Sequence, residues 1–268
     1  MLLDVYNLDK SFGGVAAVAG ASFGVAEGSI TALIGPNGAG KTTVFNLVSG
    51  FVRPDRGTVR FAGRDIAGAR GDAVARAGLV RAFQAPRVLT RMSVLDNMML
   101  GARDQPGEHL GMSWFAPRRV AMREREIHAR ALEMLELIRL RHLAGDYAGT
   151  LSGGQRKLLE LGRALMSEPR MILLDEPMAG IAPVLGQQLL QHVQDLRARH
   201  MTVCVIEHDM DVVMSIADRV IVMDEGRVIA EGSPDEVQRD ERVIEAYLGR
   251  LGTVDVAPVT PLAPERAS

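Results

Sequence analysis

Nine residues, 35-GPNGAGKTT-43, constrain this chain more than any other stretch. Gly35, Gly40, Lys41 and Thr42 meet the spacing G-x-x-x-x-G-K-[ST], preceded by the β-type run 29-SITALIG and followed by the helical run 42-TTVFNLVSG. A strand that breaks into glycines and resumes as a helix turns successive backbone N–H groups toward one point, and the helix dipole favours an anion there. The pattern predicts an α/β fold in which Gly35, Pro36, Asn37, Gly38, Ala39, Gly40, Lys41, Thr42 and Thr43 wrap the phosphates of a nucleotide. Lys41 is placed to reach the β- and γ-phosphates, and the Thr42 hydroxyl to ligate Mg²⁺.

The bulk composition narrows the setting. The 268 residues are 47% hydrophobic and 24% charged, enough apolar mass for a core and suited to one large domain or one domain with a lobe. A formal net charge of −2 provides no field to draw nucleic acid or anionic lipid, so a nucleic-acid partner is not expected. The single cysteine, Cys204, lies in the apolar run 202-TVCVIEH and reads as a buried strand thiol. One cysteine excludes an internal disulfide and fits a reducing compartment. The start, 1-MLLDVYNLDK, lacks a secretory pattern, and nowhere do 18 apolar residues run uninterrupted. The expected location is the cytoplasm or the cytoplasmic face of a membrane.

Residues 2-LLDVYNL, 22-SFGVAEG and 57-GTVRFAGRDI read as a small β-rich layer beside the strand that delivers the glycine loop. From about 93 to 168 the chain turns helical, with Ile127, Ala131, Met134 and Ile138 at helical spacing as a core stripe and 101–120 as a surface loop. Then 171-MILLD, 184-VLGQQLLQHVQDLRARH and 202-TVCVIEH give strand, helix and strand, the apolar runs suiting parallel strands covered on both faces. A hairpin follows over 219-RVIVMDEG and 227-RVIAEG, turning at Glu225 and Gly226. Residues 1–252 read as one unit, and 253–268, with three prolines and no period, as a mobile tail.

Two further stretches carry chemistry. In 171-MILLDEP-177 a buried strand ends in Asp175 at the sheet edge where ligands sit, placing Asp175 to hold Mg²⁺ and Glu176 to polarise an attacking water. In 151-LSGGQ-155, Ser152 is a natural helix N-cap, and Gly153 and Gly154 expose N–H groups at a helix start, a second anion cradle. A second cradle in one chain makes sense if it serves a neighbour's nucleotide.

The combination resembles the ATP-binding cassette (ABC) ATPases, whose signature is LSGGQ, over about residues 2–250. The resemblance implies a P-loop cassette with a RecA-like parallel-sheet core, an N-terminal antiparallel β-subdomain and an α-helical signature subdomain. It implies two cassettes closing head to tail, each ATP held between one chain's glycine loop and the other's Ser152, Gly153, Gly154 and Gln155. By the same likeness Phe12 stacks on adenine, Gln84 in 81-RAFQ touches Mg²⁺ and the attacking water, and His208 in 206-IEHD contacts the γ-phosphate. One position departs: where the family usually has Asp or Asn at the end of the loop after Glu176, this chain has Ala182, which puts the hydrolysis rate in question.

Within that family, 84-QAPRVLTRMSVLDNMMLG, the inserted 101–126 stretch, 156-RKLLELGRALM and 243-VIEAYLG resemble the branched-chain amino acid importer ATPases. Urea- or amide-import and lipopolysaccharide-export ATPases share the ending and stay open as alternatives, with a non-transport cassette further off. The implied partners are transmembrane permease subunits, a second identical or homologous ATPase and, indirectly, a solute-binding protein, at the cytoplasmic face of the membrane. Arg87, Met92, Met98 and Met99 are the candidate permease contacts near Gln84. Cargo, direction of transport and homo- or heterodimer are not legible from these residues.

Overall fold

A computed structural model describes residues 1–82, 88–105 and 116–251 of the chain. The chain begins with β1 (Leu3–Phe12), β2 (Val15–Val25) and β3 (Ile30–Ile34), then α1 (Lys41–Val48), β4 (Arg56–Phe61) and β5 (Arg64–Asp65). Next come α2 (Gly71–Ala77), β6 (Leu79–Ala82), α3 (Val94–Met99), α4 (Pro117–Leu137) and α5 (Gly153–Leu165). The last third is β7 (Met171–Asp175), α6 (Pro183–Ala198), β8 (Thr202–Ile206), α7 (Met210–Ile216), β9 (Arg219–Asp224), β10 (Arg227–Gly232), α8 (Pro234–Gln238) and α9 (Glu241–Leu251).

These strands form two sheets. The N-terminal one is antiparallel, ordered β2-β1-β4-β5. The larger has the order β10-β9-β3-β8-β7-β6, parallel throughout except for the β9–β10 hairpin at one edge. Every residue of β3, β7 and β8 is buried, as their unbroken apolar runs require of strands covered on both faces. Alternate residues divide between two cores: Ile172, Leu174, Val203 and Val205 face the helical side, while Met171, Leu173, Cys204 and Ile206 face the side that carries the antiparallel sheet. Cys204 is the buried strand thiol read from the sequence, its pKa pushed up to about 12 by burial, so it stays protonated and inert. The hairpin turns where expected, with Glu225 and Gly226 both at positive φ, 45° and 78°.

On the helical side, α4 presents Ile127, Ala131 and Leu135 to the core, and Ile138 is buried just past its end. The sequence stripe assigned Met134 to that row; it is only half-buried, because the i, i+4, i+8 row fills the contact and Met134 lies at its edge. Helix α4 begins at Pro117, inside the stretch read as a loop, of which 106–115 lie outside the described residues, as do 252–268 with the expected tail.

His192 on α6 is buried, its Nδ1 4.0 Å from the Asp195 carboxylate. Burial holds its imidazole below the ordinary value of 6.5, Arg139 pushing the same way and Asp195 opposing. The unfolded chain therefore binds more protons than the folded one below pH 6.5, so the contribution is intact above that pH and lost as pH falls. In thermal unfolding at pH 7 and pH 5, His192→Leu is expected to lose less stability on acidification than the native chain.

Candidate active site

Strand register brings the sequence-distant candidates to one edge. Leu33 of β3 and Asp175 of β7 both pair with Ile206 of β8, so three neighbouring parallel strands end level. The glycine loop leaves β3, Glu176 leaves β7, and Glu207 and His208 leave β8, all at the same carboxyl edge. On the far side of β7, Ala82 pairs with Leu174 and ends β6 at nearly that level.

The glycine loop is wedged rather than free. Gly35 has φ 144°, and a Cβ there would lie 2.0 Å from the Met223 carbonyl oxygen of β9. Gly40 has φ 97°, with the Ala17 carbonyl oxygen of β2 2.3 Å from where its Cβ would be. The Gly226 N–H donates to the Ala39 carbonyl at 3.1 Å, tying the β9–β10 turn to the loop. Gly40 is the N-cap of α1 and provides no side-chain cap, which leaves the first N–H groups of the helix open as an anion site needs. The Lys41 ammonium folds over this loop, donating to the carbonyls of Gly35 at 2.7 Å and Pro36 at 2.9 Å, and the residue is only 6% exposed. Asn37 and Gly38 are exposed, Ala39 is buried beneath them, and Thr42 and Thr43 are half-buried on the first turn of α1.

At the end of β7, Asp175 forms a buried ion pair with Arg81 of β6, Nη2 to Oδ2 2.5 Å. Arg81 also donates to Asn46 Oδ1 of α1 at 2.5 Å, linking the sheet edge to the helix behind the glycine loop. Burial raises the Asp175 carboxyl above the ordinary carboxylate range, and the Arg81 guanidinium works against that rise. Removing one member of such a buried pair typically costs about 3–5 kcal/mol. Next in the chain, Glu176 sits at φ 48°, its N–H donating to the Ile206 carbonyl at 3.0 Å and its Oε1 2.7 Å from His208 Nε2. A non-glycine residue in this left-handed region is strained by roughly 1–2 kcal/mol, so its neighbours must hold it.

Arg81, Glu207 and Lys157 were missed from the sequence. Glu207 is buried and accepts from the N–H groups of Met178 at 2.9 Å and His208 at 3.3 Å, its carboxyl raised by burial. The Lys157 ammonium, on α5, donates to the carbonyls of Glu176 at 3.1 Å, Pro177 at 3.0 Å and Ala179 at 2.6 Å. The available signals were an acid directly before His208 and an arginine one residue from the end of an otherwise apolar strand; each is legible only once the strand order is known.

The signature segment stands differently from its reading. Ser152 caps α5 in a full capping box: its hydroxyl accepts from the Gln155 N–H at 3.3 Å, and Gln155 Oε1 accepts from the Ser152 N–H at 2.9 Å. Gly153 is open, but Gly154 is buried, and a Cβ there would lie 2.6 Å from the Leu185 side chain. Gly154 is thus a packing glycine that lets α6 approach α5, rather than an exposed one. Phe12 is 50% exposed at the β1–β2 turn, the Lys10 ammonium 5.5 Å from its ring centre. It pairs with Val15, two residues before the Ala17 that abuts the loop. Gln84 and Arg87 lie outside the described residues. Met98 is fully buried in the core and unavailable as a surface contact, while Met92 and Met99 are half-buried. Ala182 is the N-cap of α6 and supplies no side-chain hydrogen bond, so the departing position is also an uncapped helix start.

A glycine loop, an acid pair and a capped signature helix on one cassette-shaped frame define a family, and the relatives agree. The ABC transporter family profile matches residues 18–179, well over half of the chain. The chain belongs to the ABC transporter ATPases. A second profile, the branched-chain amino acid ATP-binding cassette transporter, matches residues 227–250 of this cassette. A probable branched-chain amino acid transport ATP-binding protein LivG of Methanocaldococcus jannaschii is 41% identical over 92% of the chain and 97% of its own length. The high-affinity branched-chain amino acid transport ATP-binding protein BraF of Pseudomonas aeruginosa is 39% identical over 92% of the chain and 98% of its own. The cassette is similar to a crystal structure of a nucleotide-free ATP-binding cassette from an ABC transporter, TM-score 0.79, 40% identity, covering 92% of this chain and 98% of that one. It is also similar to an ADP-bound cassette of an ABC transporter, TM-score 0.78, 38% identity, with the same coverage. This is the cassette fold expected from the sequence, with an antiparallel N-terminal sheet, a largely parallel core and helical elements, and the cassette binds nucleotide. Among the described residues no helix is long and apolar enough to cross a membrane.

Two predictions follow from the geometry of the cassette. Gly35→Ala forces a methyl group into the Met223 carbonyl and is expected to abolish nucleotide binding in a fluorescent-nucleotide titration. Ala182→Asp, by capping α6, is expected to stabilise the chain by about 1 kcal/mol, read as a rise of about 2–4 °C in unfolding temperature; an unchanged ATP turnover in this variant would show the missing carboxylate to be of no catalytic consequence.

Proposed function

We propose that the chain is the ATP-hydrolysing subunit of an importer of branched-chain amino acids. The Glu176–His208 contact at the end of the glycine-loop sheet supports the hydrolytic part, and the likeness to branched-chain amino acid transport ATP-binding proteins over nearly their full lengths supports the cargo. In this reading the backbone N–H groups of the glycine loop after Pro36 and the Lys41 ammonium take the phosphates, Lys41 leaving its loop carbonyls as the β- and γ-phosphates arrive. Glu176 orients and polarises the attacking water, and His208, already bonded to it, meets the γ-phosphate. The Thr42 hydroxyl and the Asp175 carboxylate are hard oxygen donors of the type Mg²⁺ takes alongside phosphate and water oxygens, and Asp175 already pairs with a cation, Arg81. Mg²⁺ bound there would neutralise charge developing on the transferred phosphoryl group. Gln84 completes the set by resemblance, and Phe12 at its exposed turn supplies a face for adenine.

Two cassettes close head to tail, Ser152, Gly153 and Gln155 of each covering the nucleotide of the other while Gly154 packs the signature helix from behind, and closure moves permease subunits across which cargo passes. A relative solved as a dimer in a post-hydrolysis state with ADP and phosphate supports the two-cassette arrangement. Leu89 and Tyr147, which flank paired segments at the edge of the helical region, are exposed apolar side chains suited to receiving a permease. That contact, with a solute-binding protein outside, would hold the chain at the cytoplasmic face of the membrane.

The test is purification of tagged Glu176→Gln chain from native membranes in saturating ATP. Recovery of two hydrophobic permeases, a second cassette and a leucine- or valine-binding protein is the expected result. Permeases accompanied by a binding protein for urea or amides, or by an export machinery for lipopolysaccharide, would keep the transporter and overturn the cargo. A chain that remains monomeric in saturating ATP would overturn the shared site.

A further inference from the structure

We propose that Lys157 is a positioning residue for hydrolysis, holding the Glu176 carboxylate in place from the signature helix. The inference rests on the reading of Glu176 as the residue that polarises water. An ammonium carries three N–H donors, and Lys157 places them against three carbonyls of one short loop: Glu176, Pro177 and Ala179. That loop begins with a residue in the left-handed region, Glu176 at φ 48°, and contains Gly180 at φ 70°. Strained backbone persists only where the surroundings over-determine it. Here the surroundings are three cross-links: the Ile206 carbonyl takes the Glu176 N–H, Glu207 takes the Met178 N–H, and Lys157 takes the carbonyls. The first two come from β8 and its end, inside the sheet; only Lys157 comes from another layer.

Its place on that layer gives it a second consequence. Lys157 lies in the second turn of α5, two residues past Gln155, on the helix whose first turn is capped by Ser152. A shift of that helix on meeting a neighbour's nucleotide would be carried by one side chain to the backbone of Glu176. Burial lowers the Lys157 pKa, while Glu207, Glu176 and Glu160 favour its charged form. The cation thus sits among the acids of the site and, through its three carbonyl contacts, is bonded to the backbone of the loop that carries Glu176.

The experiment compares the native full chain with Lys157→Met and Lys157→Arg, reading ATP turnover, affinity for a fluorescent ATP analogue and unfolding temperature. Lys157→Met is expected to lower kcat at least tenfold while the dissociation constant for the analogue stays within threefold. Lys157→Arg, whose planar fork cannot converge on three carbonyls but keeps the charge, is expected to fall between the two. If Lys157→Met does not fold, Lys157→Gln is read by the same criteria. A kcat within twofold of native, or a loss of affinity as large as the loss of turnover, would overturn the proposal. Glu176→Gln run in parallel separates the two readings. If it retains turnover, the role of Glu176 is wrong; if it abolishes turnover while Lys157→Met does not lower it, only the positioning role is wrong.

Discussion

The site depends first on the level ending of β3, β8 and β7. Parallel strands in register deliver their next residues to one edge, and here those residues are a glycine loop, a pair of acids, and an acid with a histidine. A one-residue slip of β7 would exchange the faces of Leu173 and Leu174, sending each into the other core, and would carry Asp175 away from Arg81. The two cores that bury opposite faces of the sheet therefore also hold the chemistry in alignment. Stability and site geometry share one constraint.

The second layer of control is electrostatic and lies behind the edge. Arg81 joins Asp175 to Asn46, so the acid at the end of β7 is tied to the helix that follows the glycine loop. Glu207 and Lys157 grip opposite polarities of the loop after Glu176, one by an N–H and the other by carbonyls. Lys41 places its charge on the carbonyls of its own loop. Each of these groups is partly or wholly buried, where an unmatched charge is costly, and each has a partner in reach. The glycines answer a different demand. Gly35 and Gly40 leave room for carbonyls of β9 and β2, and Gly154 leaves room for Leu185, so these glycines serve close approach as much as phosphate binding.

Much of this was legible in the sequence because the signals were local. The loop 35–43 needs only its own spacing and its flanks, the strands at 171–175 and 202–206 are continuous apolar runs, and Ser152 is a natural helix N-cap. What escaped was decided by neighbours far along the chain. Met134 fell in the expected stripe by spacing, but Leu135 takes the buried place, set by the packing of α4 on α3 and α5. Met98, a candidate permease contact in the sequence, is sealed in the core. Gly154 read as an open anion cradle, and its real neighbour is a leucine 31 residues on.

By itself the sequence determined the kind of chemistry: a loop for phosphate, acids at strand ends, a capped signature helix, and an alternation of strand and helix that only a covered parallel sheet can satisfy. These are properties of a few adjacent residues, and local spacing carries them. The tertiary structure alone decided which residues hold that chemistry in place. Arg81 meets Asp175 across 94 positions and Lys157 meets Glu176 across 19. Such pairs are chosen by which strands lie side by side and which helix covers them, and those adjacencies arise only when distant apolar surfaces are buried together.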